Sequence, residues 1–114
     1  MKRGDVVLFD FPFSDRTGSK LRPAVVVQAD VFNQSIDDTI LALVTRTRRG
    51  TPTELFIDVA TPDGQQSGLL HTSVVDCKNL LTSDQQFVYA KLGSLSASLA
   101  RGLDDCLKSA LGLP

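Results

Sequence analysis

The chain has 114 residues, which is enough for one domain with one hydrophobic core and too few for two ordinary domains. Hydrophobic residues make up 42% of the chain and charged residues 22%, a balance that is normal for a globular protein and excludes an intrinsically disordered one. The formal net charge is -1 and the pI is about 5.6, whereas nucleic-acid-binding domains are usually basic. Composition alone therefore counts against binding to a nucleic acid.

The N-terminal stretch MKRGDVVLFDF does not have the pattern of a signal peptide, because Asp5 and Asp10 interrupt the apolar run that would be required. The sequence contains no run of about 18 apolar residues, so no segment is predicted to span a membrane. We therefore expect a cytoplasmic protein. In that compartment Cys77 and Cys106, which lack a C-x-x-C spacing, are expected to be reduced and buried.

Short apolar runs rich in β-branched residues, separated by turn residues, dominate the first two-thirds of the chain. They predict strands at 6–9, 24–27, 39–44 and 55–59, with shorter candidates at 74–75 and 87–89. Polar segments with Gly or Pro predict loops and turns at 14–20, 49–52 and 61–64. This pattern is typical of an all-β barrel or sandwich.

The period changes to that of a helix near the C-terminal end. Ser96 is the predicted N-cap and Gly112 the predicted stop. Leucines recur every four residues and are expected to pack as one stripe on the barrel: Leu99, Leu103, Leu107 and Leu111. A single helix leaves part of the apolar surface of a small barrel uncovered, which favours a homodimer.

Positive charge is concentrated in two places in spite of the net charge. The segment 46–49 carries three arginines and no acid, and Lys20 and Arg22 form a second cationic spot. Salt screens a charge beyond roughly 8 Å, so a local basic surface is possible on an acidic protein. The alternative for the arginine-rich segment is a solvated turn.

Four blocks of the sequence, taken in order, carry a resemblance to a known family. The first, GDVVLFDFPFSDRTGSKLRPAVVV, has a Gly-Asp pair, a strand ending in Asp-Phe, a polar loop with a glycine, and Arg-Pro before a Val-rich strand. The other three blocks are LALVTRTRRG, GLLHTSVVDCKNLLT and KLGSLSASLARGLDDCLKSALGL. In these blocks the chain resembles the MazF/PemK toxins over essentially its whole length.

The resemblance implies a mainly β fold, a small SH3-like barrel of the CcdB/MazF type with a C-terminal α-helix. It implies a single toxin domain over residues 1–114 that forms a homodimer. It also implies a toxin of a type II toxin–antitoxin system, a metal-independent, sequence-specific endoribonuclease without a cofactor. Such an enzyme cleaves single-stranded RNA by attack of the 2′-OH on the phosphodiester, and a cognate antitoxin covers the RNA site with an acidic segment.

On the residues that match the family's motifs, the resemblance implies that Arg22 and Thr45 are catalytic. The inventory of side chains agrees, because a chain whose one histidine is His71 cannot use two histidines within one subunit, and its acids do not cluster as a metal would require. An arginine fork suits phosphate oxygens and transition-state charge, and a threonine hydroxyl can donate to phosphate or orient the 2′-OH. Thr47 is the rival of Thr45, and Arg46 stands where many relatives have a small residue.

Further polar residues near these two are expected to contact RNA. They are Ser14, Arg16, Ser19, Lys20, Arg46, Thr47, Arg48, Thr72 and Ser73. Among the phenylalanines, Phe11 is expected in the core, whereas Phe13 and Phe32 are candidates for stacking on unpaired bases. The roles of His71 and the two cysteines stay open.

Two other functions stay open at this point. The CcdB proteins use the same type of barrel to inhibit DNA gyrase without catalysis, although they lack the Arg-Pro and strand-end Thr arrangement. The acidic pI also fits a degenerate relative that acts only as a binding module. The RNA sequence recognised, the class of RNA and the antitoxin are not predicted.

Overall fold

The computed structural model describes residues 1–11 and 20–114 of the chain. In order, its elements are β1 (Asp5–Phe11), β2 (Lys20–Val26), α1 (Asp30–Ser35), β3 (Asp38–Thr45), β4 (Glu54–Ile57), α2 (Pro62–Ser67), β5 (Ser73–Asp84), a 3₁₀ turn (Gln85–Phe87), β6 (Val88–Ser94) and α3 (Ala97–Leu111). Within these residues six strands form one antiparallel sheet in the order β4-β5-β3-β2-β1-β6. The prediction of a mainly β fold with a C-terminal helix is confirmed.

Several element bounds differ from those predicted. The strand predicted at 24–27 begins earlier, at Lys20, which places Arg22 inside β2. The strand predicted at 74–75 is the start of β5, which runs for 12 residues because a register shift opposite Ala42 and Leu43 lets it continue past a polar interruption. The turn predicted at 61–64 instead begins α2, with Thr61 as the N-cap that accepts from the Gly64 N–H.

The sheet has two apolar faces because side chains alternate along each strand. One face, which we call the helix face, packs against α3 and includes Val6, Val25, Ala42, Val44 and Val75. The opposite face includes Val7, Phe9, Ala24, Val26, Leu41 and Leu43. Both sets are buried, so the central strands carry long apolar runs rather than a polar alternation.

The C-terminal helix begins and ends where the sequence predicts. The Ser96 hydroxyl accepts from the Leu99 N–H at 3.2 Å, and Gly112 ends the helix in the left-handed conformation. Leu103 is fully buried, but Leu111 is 57% exposed, so the expectation that it packs on the sheet is wrong. A four-residue repeat drifts by about 40° per step around a helix of 3.6 residues per turn, and Ala110 packs against the helix-face core instead.

The two cysteines are free and buried in the core of the helix face, as predicted. Burial raises the pKa of the Cys77 thiol to about 12, and burial also raises the pKa of Cys106. Both side chains are therefore neutral thiols at pH 7 and pack as small hydrophobic groups.

The backbone of α2 lies directly against β6. Gly68 ends α2 with a φ of +73°, and a Cβ placed there would lie 2.1 Å from the Leu92 carbonyl oxygen. On the facing strand a Cβ at Gly93 would lie 2.3 Å from the Gln66 carbonyl oxygen. Only residues without a side chain allow this approach, which sets the position of the segment that follows α2.

A comparison of Gly68→Ala with Gly112→Ala tests this contact. Both changes force alanine into a left-handed conformation, which costs about 1–2 kcal/mol. At Gly112 the added Cβ meets open space, whereas at Gly68 it meets backbone, so we expect Gly68→Ala to cost roughly 1–3 kcal/mol more. Urea unfolding of the two variants measures the difference. Equal losses of stability would show that α2 does not approach β6 so closely.

Candidate active site

Two predicted residues become neighbours through the pairing of β2 with β3. The antiparallel register pairs Ala24 with Leu43, and the same register continued toward the strand end places Arg22 opposite Thr45. Arg22 is also paired with Phe9 on β1, and Thr45 with Val74 on β5. Two residues from separate sequence blocks thus meet at one end of the sheet.

A cavity of about 460 Å³ opens at this end of the sheet. Its volume lies within the usual range for ligand pockets. Apolar side chains form one part of its wall: Leu8, Pro23, Val44, Leu69, Leu70 and Leu92. Polar side chains form the rest: Arg22, Thr45, Arg46, Thr47, His71 and Ser73.

The charged residues that line the cavity favour the binding of an anionic ligand. Among the described lining residues Arg22 and Arg46 carry permanent positive charge and none is acidic. The ion pairs in the described part of the chain involve other residues, so neither arginine is paired with a carboxylate there. Two arginines close to an apolar wall present donors that match the oxygens of a phosphate group.

The structure separates the two rival threonines. Thr45 is the last residue of β3 and is half-buried, whereas Thr47 lies beyond the strand and is exposed. Thr47 therefore does not share a strand face with Thr45, because the strand ends and the chain bends after Thr45. The Thr47 backbone N–H donates to the Thr45 hydroxyl oxygen at 3.2 Å, which leaves the hydroxyl proton of Thr45 available to a ligand.

The arginine-rich segment forms part of the connection 46–53, which we call the arginine loop. Only Arg46 of its three arginines lines the cavity. The guanidinium of Arg48 lies over the ring of Phe56, 4.1 Å from the ring centroid. The Arg49 and Gly50 backbone N–H groups each donate to a carboxylate oxygen of Glu54 at 3.0 Å. The loop is therefore exposed to solvent, as the alternative of a solvated turn expects, but it is also held by contacts with Glu54 and Phe56 of β4.

Of the two polar residues expected before β5, the structure brings one to the cavity. Ser73 lines it, although its hydroxyl donates to the His71 carbonyl oxygen at 2.7 Å and holds that backbone in place. Thr72 does not line the cavity, and its hydroxyl oxygen accepts from the Val59 N–H at 3.2 Å. The expected RNA contact of Thr72 therefore has no support from the geometry.

Most of the loop predicted at 14–20 lies outside the residues that the structure describes. Ser14, Arg16, Ser19 and Phe13 fall outside the described residues. Lys20 is the exposed first residue of β2 and does not line the cavity. Among the described phenylalanines, Phe11 packs edge-on against Phe9 with ring centroids 6.0 Å apart, as a core residue should, and Phe32 is exposed on α1, away from the cavity.

Residues 2–111 match the family described as PemK-like, MazF-like toxins of type II toxin–antitoxin systems. The chain belongs to this family.

The similarity to individual proteins of this kind extends over nearly the whole chain. The endoribonuclease EndoA of Bacillus subtilis is 25% identical over 114 residues, which cover 99% of this chain and 96% of EndoA. A mycobacterial endoribonuclease solved in complex with its cognate antitoxin superposes with a TM-score of 0.83 at 24% identity, covering 100% and 97% of the two chains. The Mycobacterium tuberculosis toxin MazF-mt6 gives a TM-score of 0.79 at 24% identity, covering 96% and 98%. This PemK/MazF-like toxin shares their fold.

Sequence reasoning missed part of the cavity wall. Leu69, Leu70 and His71 reach it from the segment after α2, and Leu70 is 86% exposed. The pair of leucines directly after Gly68 is the feature of the sequence that could have indicated this part of the wall. Leu69 is buried, and the adjacent Leu70 is exposed. The place of His71 in the cavity makes it a candidate for proton transfer.

The described part of the toxin contains neither a metal-binding cluster nor a membrane-spanning helix. Residues 1–11 and 20–114 contain no group of three or more His, Cys, Asp or Glu side chains arranged to hold a metal ion. In the same residues no helix has the length and apolar character needed to cross a lipid bilayer.

Proposed function

We propose that this toxin is a metal-independent, sequence-specific endoribonuclease that cleaves single-stranded RNA at the cavity containing Arg22 and Thr45. The observation that carries the proposal is the convergence of these two residues on a cavity whose described lining is cationic and not acidic. Relatives named as endoribonucleases support the class of reaction.

The reaction proceeds by attack of the 2′-OH on the phosphorus, with loss of the 5′ oxygen and formation of a 2′,3′-cyclic phosphate. Negative charge grows on the non-bridging oxygens in the transition state, and the fork of Arg22 donates to them. The Thr45 hydroxyl accepts from the Thr47 N–H, so its own proton points to the phosphate or to the 2′-OH. A guanidinium stays protonated at neutral pH and is therefore a charge stabiliser rather than a base.

Proton transfer requires a side chain that can accept and release a proton. Within the described lining of the cavity His71 is the one residue with an imidazole, the group most often used for this step. We assign to it the removal of the 2′-OH proton or the protonation of the leaving 5′ oxygen. The hydrogen bond from the Ser73 hydroxyl to the His71 carbonyl oxygen holds the backbone of His71 at the cavity.

The toxin is further proposed to act as one domain over residues 1–114, as a homodimer in the cytoplasm. A cognate antitoxin holds it inactive by placing an acidic segment over the cavity. The arginines of the cavity attract such a segment, and the exposed Leu70 at its rim accepts an apolar side chain. The mycobacterial endoribonuclease solved with its antitoxin supports this class of partner.

Cleavage in the presence of EDTA tests the proposal. We expect the purified toxin to cut a long RNA and to leave 2′,3′-cyclic phosphate ends. Arg22→Ala is expected to slow cleavage by roughly 10²–10³-fold, the usual loss when one donor to the transition state is removed. Arg101→Ala, which removes an exposed arginine on α3, is the matched control and should cleave like the wild type.

Equal cleavage by Arg22→Ala would remove Arg22 from the mechanism. Toxicity that survives Arg22→Ala combined with Thr45→Ala would favour a non-enzymatic inhibitor such as a CcdB-like protein. Loss of both toxicity and cleavage in the double variant supports the nuclease.

Valine substitutions separate the two threonines, since valine keeps the shape of threonine and removes its hydroxyl. We expect Thr45→Val to lower kcat about tenfold, the equivalent of one hydrogen bond to a charged transition state. Thr47→Val should have a smaller effect, because its backbone N–H still donates to Thr45. A larger effect of Thr47→Val would reverse the assignment.

A pH–rate profile tests His71. General acid–base catalysis contributes about 10²–10⁴-fold, so His71→Gln should lower kcat within that range. The shape of the pH–rate profile should also differ between this variant and the wild type. A profile of unchanged shape with a lowered rate would mean that His71 positions the substrate and transfers no proton.

A further inference from the structure

Phe56 is exposed at a place where the rest of its strand is buried. On β4 its neighbours Leu55 and Ile57 belong to the helix-face core, whereas Phe56 points away from that core and is 40% exposed. The exposed part of this ring on the edge strand is not covered by the described residues. It offers a flat apolar surface to a ligand.

The ring lies in line with the proposed catalytic residues. Phe56 is paired with Val74, and Val74 is paired with Thr45, so the three side chains lie on one face of the sheet. Adjacent strands are about 4.8 Å apart, which places Phe56 roughly 10 Å from Thr45. Arg22 continues the row on the far side of Thr45. The row therefore begins with the guanidinium of Arg22 and the hydroxyl of Thr45 and ends with the ring of Phe56.

Arg48 is held over the ring by the structure of the arginine loop. Two backbone N–H groups of the loop donate to Glu54, and Gly50 takes a left-handed φ of +75° that the turn requires. Farther along, the Thr53 carbonyl oxygen accepts from the Cys77 N–H at 3.0 Å. One face of the guanidinium covers Phe56, and Arg48 is itself an exposed residue. Its other face is available for a second planar group.

We propose that Arg48 and Phe56 form a stacking platform for a nucleobase that flanks the nucleotide cleaved at Arg22 and Thr45. Guanidinium planes and aromatic rings are the surfaces on which unpaired bases stack. The separation from Thr45 is too large for the base of the cleaved nucleotide and suits a neighbour along the strand. The proposal rests on the endoribonuclease function, and it assigns Arg48 to a base rather than to a phosphate.

The test uses binding of an oligonucleotide that spans a mapped cleavage site and carries a 2′-deoxy sugar at the cleaved nucleotide, so that attack is blocked. We expect Phe56→Leu and Arg48→Ala each to weaken binding by about tenfold, within the range for loss of one stacked base. Phe56→Tyr should bind like the wild type. Phe32→Leu, on an exposed phenylalanine of α1, is the matched control. Urea unfolding of each variant excludes loss of the fold.

A scan with abasic nucleotides identifies the stacked base. At one flanking position the abasic substitution should weaken binding to the wild type about tenfold and have no further effect on Phe56→Leu. Additive losses at every position would overturn the platform, as would unchanged binding by both variants. Weakened binding to the antitoxin with unchanged binding to RNA would assign the pair to a protein partner and would also overturn it.

The two proposals fail in different ways. If the wild type cuts no RNA in EDTA, the endoribonuclease proposal fails, and binding is then measured with an oligoadenylate. Loss of oligoadenylate binding in Phe56→Leu and Arg48→Ala would retain the platform, and unchanged binding would reject it.

Discussion

The register between β2 and β3 is the constraint on which the site depends. Because side chains alternate with a period of two, a slip of one residue would turn either Arg22 or Thr45 to the wrong side of the sheet. The core prevents such a slip. Val25 and Ala42 are paired and buried on the helix face, and the pairs on either side of them are buried on the opposite face. Burial on both faces therefore specifies the position of Arg22 and Thr45, the proposed catalytic pair.

The remaining wall of the cavity depends on a different kind of contact. His71 and Leu70 follow α2, and the position of α2 is set by a backbone approach to β6 that Gly68 and Gly93 allow. Apolar burial is tolerant of side-chain exchange, but a contact between two backbones is not. The site thus joins a part fixed by the hydrophobic core to a part fixed by two glycines.

The difference between core packing and backbone contact explains which parts of the structure the sequence could predict. Apolar runs and a helical period are local patterns, and they located β1, β3 and α3 closely. The resemblance to the family, and not these patterns, points to Arg22 and Thr45. Helices α1 and α2 span six residues each, too few for a periodic signal. Thr61 and Gly64 suit a turn and a helix N-terminus equally well, because the same side-chain bond occurs in both. The place of His71 depends on the contact of α2 with β6, which no local pattern reports.

The acidic composition and the cationic cavity are compatible because of where the acids lie. Asp104 pairs with Arg3 at 2.9 Å, and Asp5 with Lys91 at 3.3 Å. Asp76 pairs with Lys78, and Glu54 accepts from the backbone of the arginine loop. These carboxylates are engaged in local contacts, whereas the described lining of the cavity keeps its arginines free of acids. Net charge adds up groups that lie too far apart to influence the same ligand, because salt screens each charge beyond roughly 8 Å. The charge that a ligand in the cavity meets first is that of the described lining, where Arg22 and Arg46 are cationic and no residue is acidic.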